Sequence, residues 1–243
     1  MKAAIFGAKG QMGRVLAALF REVSPETELM LLDLNFVEDP SSDVPPDVMI
    51  DFSHKNALPE VLKLGQQFNT PLVLATTGYD EADRALIKAA SETLPIFNSS
   101  NMSIGVYVLK ELVKQAVALI GDDADIEIIE KHHRKKKDAP SGTAIILLDA
   151  IKTVDDKHYP QFGRSGQGLR TDEEVGIHAI RGGTIVGEHS VIFCMNGETV
   201  ELTHKGESKN LFARGAISAA REIIGKPNGL YGMDDLMKWR ELS

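Results

Sequence analysis

Lys2-Ala3-Ala4-Ile5-Phe6-Gly7-Ala8-Lys9-Gly10-Gln11-Met12-Gly13-Arg14 is the stretch that decides the fold. A short apolar run ends at Gly7, and a helical pattern through Arg14, Val15, Leu16, Leu19 and Phe20 begins beyond Gly13. Between them, glycines at 7, 10 and 13 form a variant of the dinucleotide fingerprint. A strand, a tight glycine turn and a helix let the backbone approach a pyrophosphate closely and aim free N–H groups at it. Glycines also punctuate ordinary turns, so the placement directly after a strand and before a helix carries the reading. Asp33 stands 20 residues beyond Gly13, at the end of the next strand-like run, where an acid binds ribose hydroxyls.

Outward from that turn the alternation continues. Glu28 to Leu32 reads as the second strand. A Pro/Ser/Asp-rich loop, Glu38 to Pro46, leads into Val48-Met49-Ile50-Asp51-Phe52, a third strand. Ala57 to Phe68 is helical in period, Pro71 to Ala75 a buried strand, Glu81 to Glu92 helical, and Pro95-Ile96-Phe97 returns to the sheet. Strands alternating with helices predict a doubly wound parallel sheet, its ligand crevice beyond the carboxyl ends of the strands.

After about Gly105 the pattern changes. A long helix (Val106 to Ile120) precedes a partly alternating strand, Asp125 to Glu130, and a second helix follows at Thr143 to Lys152. Beyond a polar stretch from Val154 to Glu174, the rest reads as antiparallel sheet. Its strands are Val175 to Ile180 and Ile185 to Phe193, with a turn at Gly182-Gly183, then Asn196-Gly197 as a hairpin signal before Glu198 to Lys205. Leu211 to Ile224 is a final helix, expected to pack back on the first domain. The fold class is therefore α/β: an N-terminal Rossmann-like dinucleotide-binding domain (1–103 and 213–243) plus a C-terminal α+β domain with a mixed sheet (104–212).

The 243 residues, 43% hydrophobic and 26% charged, suit one or two globular domains. The chain opens directly on a strand and holds no apolar run of the roughly 18 residues that a membrane span needs, so neither a signal peptide nor a membrane partner is expected. A single cysteine, Cys194, rules out an internal disulfide framework and fits a reducing cytoplasm. The net charge of −8 argues against general nucleic-acid binding.

Against that acidic background, Lys131 to Lys137 holds five cations and two histidines. Ser141 can cap a helix beginning at Gly142, leaving N–H groups of Gly142 and Thr143 as a carboxylate or phosphate site backed by the helix dipole. A histidine can donate a proton near neutral pH, and a neighbouring lysine can hold an anion. A solvated charge run, a metal site and a nucleic-acid patch are the competing readings. Adjacent histidines without a third ligand at a useful spacing speak against a metal, and the want of nearby aromatics speaks against nucleic acid.

These features resemble the dihydrodipicolinate (4-hydroxy-tetrahydrodipicolinate) reductase family over nearly the whole chain. The resemblance lies in Gly7-x-x-Gly10-x-Met12-Gly13-Arg14, Asp51-Phe52-Ser53, Thr76-Thr77-Gly78 and Asn101-Met102-Ser103-Ile104-Gly105-Val106. It is most specific in Glu127-Ile128-Ile129-Glu130-Lys131-His132-His133 with Lys136, Asp138 and Pro140-Ser141-Gly142-Thr143-Ala144. Ile185-Val186-Gly187-Glu188-His189 and Gly229-Leu230-Tyr231-Gly232-Met233 complete it.

The resemblance implies a reductase of lysine and diaminopimelate biosynthesis whose substrate is a small cyclic imine with two carboxylates. Hydride would reach ring carbon C4, and His132, assisted by Lys136, would supply the proton. His133, Lys136, Ser141, Gly142 and Thr143 would hold the substrate. Gly7, Lys9, Gly10, Gln11, Met12, Gly13, Asp33, Ala75, Thr76, Thr77, Gly78, Ser100, Asn101 and Met102 would hold the dinucleotide, no metal would be needed, and a homotetramer is expected. Asp33 repels a 2′-phosphate and Leu34 supplies no cation, which favours NADH, while Lys9 leaves NADPH open. The chain departs from the family pattern at Ala75, Met102, His54 and Lys209, and Asp33 lies only 18 residues before Asp51.

Overall fold

The computed structural model describes residues 1–34, 36–38 and 44–241. They divide into two compact units, Met1–Ser103 with Lys209–Ser243, and Ile104–Ser208. Most of the expected loop from Glu38 to Pro46, residues 39–43, lies outside the described residues.

The first unit is a seven-stranded sheet. Its strands are β1 (Lys2–Phe6), β2 (Glu28–Asp33), β3 (Phe36–Glu38), β4 (Val48–Asp51), β5 (Leu72–Leu74), β6 (Pro95–Asn98) and β12 (Gly229–Tyr231). They stand in the order β12-β6-β5-β4-β1-β2-β3, all neighbours parallel except β2 with β3. Every side chain of β1, β4 and β5 is buried, as a parallel sheet covered on both faces requires.

Helices α1 (Gln11–Val23) and α6 (Asn210–Ile223) cover one face, and α2 (Leu58–Phe68) and α3 (Glu81–Ser91) the other. In α1, Gly13, Leu16, Ala17, Leu19 and Phe20 form the buried stripe at helical spacing. Small residues of α6 (Ala213, Gly215, Ala216, Ala219, Ala220) are buried beside them and permit a close approach. Asp80 and Asp83 form a reciprocal capping box that starts α3. Three elements of this unit have no counterpart in the sequence reading: β3, β12 at the sheet edge and α7 (Met233–Glu241).

The second unit has helices α4 (Ile104–Ile120) and α5 (Gly142–Val154) on a five-stranded sheet. Its strands are β7 (Asp125–His132), β8 (Tyr159–Phe162), β9 (Glu174–Arg181), β10 (Gly187–Met195) and β11 (Glu198–Gly206), in the order β11-β10-β7-β9-β8. Of the strands expected to be antiparallel, only β10 and β11 pair so, joined by the Asn196-Gly197 turn; β10 is also antiparallel to β7. Strand β9 runs parallel to β7 on the opposite side from β10, and β8 runs parallel to β9. The Gly182-Gly183 turn therefore carries the chain past the end of β7 instead of closing a hairpin. Gly182 N–H donates to the His132 carbonyl at 2.9 Å, and Arg134 N–H donates to the Gly183 carbonyl at 3.3 Å. Among the described residues no helix is long and apolar enough to cross a membrane.

Candidate active site

The glycine turn joins β1 to α1 in a form that only glycine tolerates at two places. Gly7 has φ +81°, and a Cβ there would stand 2.9 Å from the Phe52 carbonyl. A Cβ at Gly13 would collide with the Gly7 carbonyl oxygen, so the helix packs onto the turn at backbone distance. Gly10 caps α1 without a side-chain hydrogen bond, which leaves that helix end for an external anion. Asp33 accepts the N–H of Lys9 at 3.2 Å and of Leu34 at 3.0 Å, tying the end of β2 to the turn. Lys209 Nζ donates to Gln11 Oε1 at 2.6 Å.

Beyond the strand ends lies a cavity of about 300 Å³, lined by Met12, Phe52, Ser53, Ala75, Thr76, Thr77, Ser100, Met102, Lys209 and Phe212. That volume stands at the lower end of small-ligand sites, roughly 300 Å³ upward. Six of the expected cofactor residues thus share one wall, while Gly78 (φ +83°) closes the loop after Thr77. Asn101 braces its own loop, its Oδ1 accepting the Ser103 N–H at 2.9 Å. His54 Nδ1 accepts the Asn56 N–H at 3.2 Å. The glycine cradle, the acid at the end of β2 and the cavity fit a dinucleotide.

Behind that wall sits Asp51, which no sequence argument had given a role. It is buried and accepts Thr76 Oγ1 at 2.7 Å, Ser53 N–H at 3.0 Å and Tyr79 hydroxyl at 3.3 Å. Burial pushes its carboxyl up, and the hydrogen bonds from Ser53, Thr76 and Tyr79 only partly oppose this.

In the second unit the chemistry gathers at the end of β7. Ile126, Ile128, Glu130 and His132 all face inward in the alternation of the strand, so an acid and a histidine continue an apolar phase. Glu130 is fully buried, and its oxygens accept Arg181 Nη2 at 2.7 Å and Nη1 at 2.8 Å. It also accepts the Ser141 N–H at 3.0 Å and meets His132 Nδ1 at 2.6 Å. Burial pushes the Glu130 carboxyl up, but the bonds from Arg181 and His132 outweigh it and hold the group below the usual carboxylate range. For His132, burial lowers the imidazole; the Glu130 bond and charge oppose this, and Lys136 and Arg181 repel the protonated ring.

His189 stands edge-on to His132, with ring centroids 5.2 Å apart, and its Nε2 lies 2.9 Å from Ser141 Oγ. Burial and the nearby His132 push its pKa down to about 3. Ser141 caps α5 by accepting the Ala144 N–H at 3.2 Å, so both its N–H and its hydroxyl are engaged. Lys136 Nζ donates to the exposed carboxylate of Asp138 at 2.7 Å. His133 keeps a buried Nδ1 with no hydrogen-bond partner, and nothing stands within 4 Å of where a Gly142 Cβ would lie.

One buried carboxylate thus links two of the expected residues, His132 and Ser141; His133, Lys136, Gly142 and Thr143 lie on the connection between β7 and α5 or at its helical end. Glu130 and His189 stand in the sequence motifs without a role of their own there, and Arg181 stands outside them. The alternation of β7 was the available signal for Glu130. Arg181 depends on the parallel pairing that sets it beside His132, 49 residues away in the chain.

The comparisons with known proteins agree along the chain. Residues 1–102 match the family described as dihydrodipicolinate reductase, N-terminus, and residues 105–237 match dihydrodipicolinate reductase, C-terminus. The chain is 43% identical to the 4-hydroxy-tetrahydrodipicolinate reductase of Caldanaerobacter subterraneus, covering 96% of this chain and 97% of the relative. It is 42% identical to the enzyme of that name from Clostridium tetani, covering 96% and 95%. Among solved structures, dipicolinate-bound dihydrodipicolinate reductase from Paenisporosarcina superposes with a TM-score of 0.77 at 24% identity, covering 97% of this chain and 98% of that one.

Proposed function

The chain belongs to the dihydrodipicolinate reductase family and carries that family's activity, the pyridine-nucleotide-dependent reduction of 4-hydroxy-tetrahydrodipicolinate in lysine biosynthesis, and from this premise we propose which of its own residues do the work. A reduced nicotinamide, when bound, would supply the hydride to ring carbon C4 of the dehydrated ring, the 4-hydroxyl having left as water. His132 delivers the proton that completes the reduction. The observation that carries this reading is the buried Glu130 carboxylate, which links His132 to the amino end of α5, so that proton donor and anion site share one anchor.

The substrate is a small cyclic dicarboxylate. One carboxylate takes Lys136 from the exposed Asp138, its present partner, and His133 adds a second contact. The open space above Gly142 lets a carboxylate approach the first N–H groups of α5 beside Thr143, with the helix dipole behind them. Ser141 fixes that helix end in place. Lys136 repels the protonated His132 ring, and an anionic substrate seated on Lys136 would relieve that repulsion, so the proton donor is best charged in the complex.

On the cofactor side, Gly7, Gly10 and Gly13 admit the pyrophosphate, with Lys9, Gln11 and Met12 around them and Asp33 toward the ribose. Ala75, Thr76, Thr77, Gly78, Ser100, Asn101 and Met102 flank the nicotinamide half. Asp33 favours NADH, and Lys9 keeps NADPH usable. Domain 104–212 is taken as the substrate and oligomerisation domain of a cytoplasmic homotetramer, and 1–103 with 213–243 as the dinucleotide domain.

The test is to mix the purified protein with freshly generated 4-hydroxy-tetrahydrodipicolinate and follow reduced-cofactor absorbance, with NADH and NADPH in parallel. Rapid oxidation with a higher kcat/KM for NADH is the expected result. Absence of oxidation with either nucleotide, from protein that binds NADH, would overturn the reading.

A further inference from the structure

A histidine that donates a proton must present one particular nitrogen to the substrate. Resting on the reaction proposed above, we infer that Glu130 is a positioning residue that holds a proton on His132 Nδ1, leaving Nε2 as the nitrogen that exchanges with substrate, and that Gly187 keeps the Nε2 face clear.

Glu130 is fully buried, yet both oxygens carry bonds from a guanidinium, in the parallel fork that favours an ionised carboxylate. The Ser141 N–H adds a third donor. An ionised carboxylate has no hydrogen to give, so at 2.6 Å the hydrogen between Glu130 Oε2 and His132 must belong to Nδ1. In the neutral ring the lone pair then lies on Nε2, and only the imidazolium carries a proton there. Nε2 makes no hydrogen bond among the described residues.

The ring is also held in direction. Its edge-on contact with His189 limits rotation, and His189 stays neutral, so it does not compete as a charged donor. On the far side, a Cβ at Gly187 would stand 3.0 Å from Nε2 and 3.3 Å from Cδ2. A methyl group there crowds the ring, and a branched side chain covers the nitrogen. Glycine at the first position of β10 is therefore a requirement of access, since nothing marks Gly187 as a left-handed position. The charged and titratable groups facing the ring are Glu130 on its own strand, Lys136 in the loop that follows, Arg181 on β9 and His189 on β10.

The test reads the tautomer directly. Histidine-selective ¹⁵N labelling of the full chain, with the His132 signals assigned by their loss in His132→Asn, is expected to show protonated Nδ1 and unprotonated Nε2 above the titration of the ring. An Nε2–H tautomer, or an even mixture, would overturn the inference whether or not the protein turns over substrate. Failure of NADH oxidation by the wild type would instead strike the reaction reading and leave the tautomer result standing.

Two variants then connect tautomer to rate. Glu130→Gln should mix the tautomers and lower kcat about 10- to 100-fold with a smaller change in KM. It should also move the alkaline limb of kcat to lower pH, because the anion that holds the imidazolium is gone while Lys136 and Arg181 remain. Gly187→Val leaves Glu130 intact, so it should keep the tautomer and lose about 100-fold in kcat by blocking Nε2. Full kcat in Gly187→Val, or an unmoved limb and unchanged kcat in folded Glu130→Gln, would refute the assignment.

Discussion

Each unit buries one carboxylate near the carboxyl end of a strand, and the two are handled in opposite ways. Among the described residues Asp51, 1% exposed, is met only by neutral donors, the Ser53 N–H and the hydroxyls of Thr76 and Tyr79. Glu130, wholly buried, is met by the Arg181 guanidinium as well as a backbone N–H and a histidine. The carboxyl of Asp51 is therefore pushed up by burial, whereas that of Glu130 is held down despite burial. Burial of an acid says little about its use. A cation supplied to keep it charged says more, because an ionised acid can dictate where a neighbour's proton sits. Asp51 organises the hydroxyls around the Thr76 loop, a job that a neutral acceptor can share.

The contrast breaks most visibly at Arg181. Replacing it with methionine leaves the Glu130 charge buried without its cation, which should cost about 3–5 kcal/mol in denaturant unfolding at pH 7. Adding Glu130→Gln to Arg181→Met removes the stranded charge and should recover much of that loss. The sign with pH follows from the lowered carboxyl: its stabilisation is present above the unfolded pKa and disappears as pH falls through the folded one. The cost of Arg181→Met should accordingly shrink in acid. A loss below about 1 kcal/mol at pH 7 would mean that Glu130 does not depend on its cation, and the contrast with Asp51 would fall.

The same two regions differ in how far they could be read beforehand. The parallel sheet was legible because Ala3–Phe6, Val48–Ile50 and Leu72–Leu74 are short apolar runs, buried on both faces and set between helical periods. The glycine turn was legible because the steric need at Gly7 and Gly13 is local. Strands β3 and β12, three residues each, exist through pairing with β2 and β6 and have no period of their own. The second unit misled at Gly182-Gly183, where a turn signal between two strands looks like a hairpin. Only the register of β9 on β7 reveals that Arg181 arrives beside His132. His132, Lys136 and Ser141 lie within one motif and could be named, but the pair that anchors them, Glu130 and Arg181, is a product of sheet order.

A finer probe uses the base beside Glu130. His189 has its pKa pushed down to about 3 by burial and by His132. Between that value and about 6.5, the unfolded chain takes up a proton that the native His189 refuses, so stability rises with pH across the window. One such proton contributes about 1.4 kcal/mol per pH unit. His189→Gln, which can still reach Ser141 Oγ, should flatten the acid side of the stability curve by that slope, leaving the parts due to His132 and to His204, an imidazole on β11 that burial also lowers. An unchanged slope would show that His189 is protonated in the native state and that the fold compensates this group as it does Glu130.

The smallest effect is expected at Asp51, and its sign is the informative part. Because the folded carboxyl is raised, its contribution to stability is fully present below the unfolded pKa and is lost as pH rises through the folded one. Asp51→Asn removes that loss while keeping one carbonyl acceptor, and the hydroxyls of Thr76 and Tyr79 can rotate to accept from its amide. The variant should therefore match or exceed the wild type at pH 7 by up to about 1 kcal/mol, with the difference vanishing in acid. Glu130→Gln should do the reverse and lose stability at pH 7. Thermal melts of the two variants between pH 3 and 8 would set the opposite trends side by side. If Asp51→Asn instead destabilised the protein at neutral pH as strongly as Glu130→Gln, the Asp51 charge would be compensated too, and the two acids would be doing the same kind of work.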